Sequence, residues 1–108
     1  MALVANEIQQ QQSLAMMHDL DNMISRLNTV KSSLLASQTE LLNFGGSLDP
    51  DSPEMKMIEK RRMQLAAYEK KIDAEIEAYK NKRQIAEARY KSSGEKVQKA
   101  IERCYSRT

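Results

Sequence analysis

The sequence predicts an all-α fold: two long helices in a helical hairpin or coiled coil, joined by a Gly/Pro loop, as one domain over residues 1–108. Three observations predict it. Residues 4 to 43 contain no Gly and no Pro. Residues 45–53, GGSLDPDSP, hold two of the three Gly and both Pro. Beyond Pro53 only Gly94 interrupts a run of helix formers. The apolar content comes from Leu, Ile, Met and Ala, with no Trp and Phe44 as the single Phe, which suits helices better than strands.

The first helix is expected over about residues 4–43. Met16, Leu20, Met23, Leu27, Val30, Leu34, Leu41 and Phe44 alternate at three and four residues, with Ser37 filling the remaining place. That is a heptad seam. Leu14, Met17, Ile24, Leu35 and Leu42 lie off it, so this helix is expected to touch more than one neighbour.

The loop is expected over residues 45–52. Gly45 or Gly46 can adopt the left-handed conformation that closes a helix. Pro50 bars helical geometry at Asp49. Ser52 can cap free N–H groups, Pro53 suits the first helical position, and Glu54 opposes the positive end of the helix dipole.

The second helix is expected over about residues 53–106. Tyr68, Tyr79 and Tyr90 fall eleven residues apart and Ile101 eleven after the last. Eleven residues make three turns with about 20° left over, so these four side chains stay on nearly one line of a straight helix. Ile58, Leu65, Ile72, Ile76, Ala86, Val97 and Tyr105 fill the same face. Arg83, Glu87, Lys91, Glu95 and Lys99 follow at four-residue steps with alternating sign and are expected on the opposite, solvated face. KSSGE, with Gly94, is where a kink or break would fall.

Charge is unevenly spread. Residues 1–53 carry two basic and six acidic side chains, net −4, and residues 54–108 carry fifteen and nine, net +6, within an overall +2. The two halves attract each other, within one chain or between chains.

Chemistry-bearing patterns are sparse. His18 beside Asp19 and Asp21 has no nucleophile at a related spacing, so no catalytic residues are expected and the chain is read as a non-enzyme. One His and one Cys supply no metal-ligand set, and Gly45-Gly46 matches no phosphate-cradling motif, so neither metal nor cofactor is expected. The basic clusters EKRRMQ and KNKRQ stand among acids such as Glu59, Glu77 and Glu87, which argues against nucleic acid as partner. QQQQ at residues 9–12 is compatible with helix, and Cys104, alone, is read as a small apolar residue near a helix end. No stretch reaches the roughly 18 apolar residues of a membrane span. The start, MALVANEIQQQQ, lacks the basic region of a cleaved signal, so the chain is expected in the cytoplasm or exported by a route without one.

Two arms of this length form one thin seam, which cannot hide all the apolar residues of the first arm. Self-association or a stable complex with other helices is therefore expected. The interface is expected at Leu20, Met23, Leu27, Val30, Leu34, Leu41, Phe44, Leu65, Tyr68, Ile72, Ile76, Tyr79, Tyr90, Val97 and Ile101.

The stretch LDPDSPEMKMIEKRRMQLAAYEKKI resembles the hairpin of type III secretion needle subunits. The matching positions are Pro50, Asp51, Ser52 and Pro53 in the turn, and Leu65 and Tyr68 in the first turns that follow it. The resemblance implies a small, helical, non-enzymatic subunit that assembles through both helices into a hollow export tube and leaves the cell without a cleaved signal. This chain departs from the pattern in its more charged second helix and its polar end, IERCYSRT. The expected function is thus a structural protein that self-assembles into a homo-oligomer, filament or tube. The alternative is a coiled-coil adaptor or chaperone-like protein that holds a different helical protein.

Overall fold

A computed structural model describes residues 2–106 and shows an all-α helical hairpin. Helix α1 spans Ala2–Gly45 and helix α2 spans Pro53–Ser106; no other regular element occurs among the described residues. Helix α2 continues through Gly94 without a break. The chain forms two compact units, one made of Ser25–Glu77 and the other of residues up to Ile24 with those from Ala78 onward.

The Ser25–Glu77 unit contains the turn. Pro53 stands as the first residue of α2. The Met55 backbone N–H donates to Ser52 Oγ at 3.2 Å, which satisfies one of the donors left free at the start of α2. Ser52 Oγ in turn donates to the Asp49 carbonyl at 2.8 Å, and the Asp51 N–H donates to Asp49 Oδ1 at 3.1 Å. The two aspartates around Pro50 thus fold the turn onto itself.

Gly45 and Gly46 do not take the left-handed conformation expected of a helix-closing glycine, since no glycine has positive φ. Gly46 N–H instead donates to the Leu42 carbonyl at 3.1 Å, extending the helical pattern. Gly45 serves a different need. It is buried, and a Cβ there would lie 3.3 Å from Met55 Sδ and 3.6 Å from Ile58 Cγ2. The missing side chain lets the start of α2 close over the end of α1.

In this unit the packed face of α1 is Leu27, Lys31, Leu34, Gln38, Leu41 and Gly45, and that of α2 is Met55, Ile58, Arg62, Leu65, Glu69, Ile72 and Ile76. Both sets alternate at three and four residues, the spacing of a coiled-coil seam. Ile58, Leu65, Ile72 and Ile76 are fully buried. Two polar pairs cross the seam: Lys31 Nζ with Asp73 Oδ1 at 2.7 Å, and Gln38 Nε2 with Glu69 Oε2 at 3.2 Å. A one-residue slip would separate both pairs, so they fix the register. The hydrogen bond from Lys31 to Asp73, with the attraction of that carboxylate, holds the Lys31 ammonium above its ordinary value. On the lysine side the ion pair therefore persists through neutral and moderately alkaline solution and is lost as pH rises through that elevated value.

The other unit is packed differently. Its α1 face is Leu3, Asn6, Gln10, Ser13, Met17, Leu20 and Ile24; its α2 face is Tyr79, Arg83, Ala86, Tyr90, Ser93, Val97 and Ala100. The heptad spacing is the same, but the buried positions include Ser13, Ala86 and Ser93, the last only 2% exposed. Short side chains let the two helices approach closely. Arg83 contacts Asp21 on α1 and also Glu87 Oε2 at 3.2 Å, and Lys91 reaches Glu87 Oε1 at 3.3 Å. Arg83 is half-buried on the packed face and Glu87 is half-buried beside it, so the charged row begins at the seam rather than opposite it. Lys82 Nζ lies 5.6 Å from the centre of the Tyr79 ring, a cation–π contact.

Gly94 sits in this unit with Gln10 Nε2 2.9 Å from where a Cβ would stand. That atom is the far end of a flexible side chain and can move aside. Gly94→Ala is therefore expected to stabilise the chain by up to about 1 kcal/mol, the helix-propensity gain. A higher thermal midpoint by far-UV circular dichroism checks this; a lower midpoint would show that Gln10 cannot yield.

Candidate functional site

The packed stripe of α1 differs from the one read in the sequence. Leu20, Leu27, Leu34 and Leu41 belong to both. The second row is Met17, Ile24, Lys31 and Gln38, where Met16, Met23, Val30 and Ser37 were expected. The reason lies in the width of the apolar arc. Met16, Met23, Val30 and Phe44 flank the leucine row on one side, and the packed second row lies on its other side. Either choice gives the alternation of three and four. The alternative containing Val30 and Phe44 is the more apolar, yet Asp73 and Glu69 on α2 pair with Lys31 and Gln38 and select the other.

Met16, Met23, Val30 and Phe44 are consequently exposed, Phe44 by 67%. On the far side of the packed stripe Leu14, Leu35 and Leu42 are exposed as well. Helix α1 thus carries uncovered apolar residues on both sides of its seam. In the Ser25–Glu77 unit these are Val30 and Phe44 on one side and Leu35 and Leu42 on the other.

Helix α2 also leaves apolar residues outside, among them Met57, Met63 and Ile85. Its packed face takes up Leu65, Ile72, Ile76, Tyr79, Tyr90 and Val97. The eleven-residue row does not hold together on that face. Tyr79 and Tyr90 lie on it, but Tyr68 is 61% exposed and Ile101 is exposed. A heptad stripe reaches eleven residues as four, three and four; the next three steps are three, four and three, which reach only ten. Two successive steps of eleven therefore cannot both stay on it. Tyr68 stands one position before Glu69, and Ile101 one after Ala100, which are the packed residues.

In the Ser25–Glu77 unit one side of the seam forms a groove. One depression is lined by Ser37, Glu40, Leu41, Phe44, Arg61 and Leu65. An adjoining depression shares Arg61 and Leu65 and adds Leu34, Gln64, Ala67 and Tyr68. The small Ser37 side chain leaves a hollow above Leu41, which is half-buried, while Leu65 beneath is fully buried. Neither Glu40 nor Arg61 makes an ion pair among the described residues.

Chemistry of other kinds finds little footing. His18 is exposed, and its neighbour Asp21 is engaged by Arg83. Among the described residues no group of three or more His, Cys, Asp or Glu is placed to hold a metal ion. Cys104 lies near the end of α2 as a free, exposed thiol. No helix among the described residues is long and apolar enough to cross a membrane.

The register-setting polar pairs were not singled out by sequence reasoning. The signal was present: a lysine in the middle of an apolar stripe, with carboxylates at matching depth on the second helix. Comparison of the chain with known protein families, curated proteins and solved structures returns no match.

Proposed function

We propose that this chain is a non-enzymatic structural subunit that self-assembles through its helices into a filament or tube, as the resemblance of its turn to secretion-needle hairpins implies. The observation that supports this reading is the pair of uncovered apolar flanks on α1. In the Ser25–Glu77 unit, Val30 and Phe44 flank the seam on one side while Leu35 and Leu42 flank it on the other. Exposed apolar residues repeated along one flank of a helix offer a surface that a neighbouring helix can cover. A single such flank would be satisfied by one neighbour. Two flanks let each copy contact two neighbours, and contacts that do not close on themselves propagate into an open assembly. The charge balance supports the same reading: an excess of acid in residues 1–53 and of base in residues 54–108 favours contacts between unlike parts of neighbouring copies.

Negative-stain electron microscopy of the purified chain at low salt tests the reading. Regular filaments or tubes of uniform width are the expected result. Discrete particles the size of one hairpin would contradict it and would leave the flanks for a different helical protein.

A further inference from the structure

The groove beside the turn contains the complement of each of its own features. Phe44 projects from it, and the hollow over Ser37 has half-buried Leu41 at its floor, above the buried Leu65. Glu40 supplies a negative charge and Arg61 a positive one on the same depression, and neither makes an ion pair among the described residues.

We infer that this groove binds the same groove of a second copy about a two-fold axis, with Phe44 of each copy seated in the hollow over Ser37 of the other and Glu40 of each paired with Arg61 of the other. A two-fold contact is self-complementary, so each residue pair occurs twice. The surface meets that requirement: one projection, one hollow, one acid and one base. An unrelated partner would have to supply all four features in the right places. A second copy has them by construction. The aromatic seated in an apolar hollow supplies the anchor, and the charges at the edge set orientation and exclude mismatched pairings. This proposal rests on self-association as the function of the chain and specifies one of its contacts; the opposite flank of α1 remains available for another.

Charge reversal tests the pairing. The chain carrying Glu40→Arg presents two positive charges in its groove, and the chain carrying Arg61→Glu presents two negative ones. Each variant repels a copy of itself, yet the two match each other at both pairs. In sedimentation at low salt, each variant alone is expected to need about tenfold more protein than wild type to associate. An equimolar mixture is expected to associate as wild type does. Both side chains face solvent, so far-UV circular dichroism of either variant should match wild type. If either variant alone associates as wild type does, or if the mixture associates no better than its components, the two-fold groove contact is wrong while the broader reading stands. A wild-type chain that never associates would instead remove the broader reading, and this contact with it.

Discussion

Ile72→Ala is expected to destabilise the hairpin by about 2–4 kcal/mol, a large share of what a thin two-helix seam can muster. Ile72 is 5% exposed and sits in the row of fully buried residues that α2 contributes beside the turn. Removing its branched side chain leaves a cavity that the neighbouring rows cannot close, because the polar pairs Lys31–Asp73 and Gln38–Glu69 hold the register. The control is the same substitution off the stripe. Ile85 is exposed, so Ile85→Ala is expected to change stability by no more than about 0.5 kcal/mol. Urea unfolding followed by far-UV circular dichroism at low protein concentration measures both. Equal costs at the two sites would contradict the heptad packing.

The second large effect separates folding from assembly. Val30→Lys together with Leu35→Lys places one charge on each apolar flank of α1 in the Ser25–Glu77 unit. Both residues are exposed, so the isolated hairpin should keep its helicity and its unfolding midpoint to within about 1 kcal/mol. Association is expected to fall by about a hundredfold or more, because each contact would have to bury an unpaired ammonium. Loss of helicity in this variant would show that the two positions belong to the seam. Undiminished association would show that the flanks are not where copies meet.

Much of the fold could be read from local chemistry. Ser52, Pro53 and Glu54 mark the start of α2 because capping and dipole effects act over one turn, and Met55 N–H bonds to Ser52 Oγ accordingly. The turn needed only Gly45, Gly46 and Pro50 to be recognised as one. The conformation of its glycines was less accessible. Gly45 answers to Met55 and Ile58, which come close only after folding. The site depended even more on such long-range terms. The wide apolar arc of α1 admits two alternating stripes, and only its pairing with α2 chooses between them. Hydrophobicity alone favours Met23, Val30 and Phe44, whereas the register accepts Lys31 and Gln38 because carboxylates on α2 meet them. That exchange leaves the more apolar row outside. The spacing of the tyrosines misled for a related reason: eleven residues fit a straight helix, while a packed pair follows seven.

In the proposed assembly, the apolar residues left outside the seam are covered by other copies of the chain. Light scattering coupled to size-exclusion chromatography, run on the wild-type protein up to roughly tens of micromolar, tests it most directly. A mass that rises with concentration beyond that of one chain, 12.4 kDa, is the expected result. A constant mass of one chain, with full helicity, would contradict it.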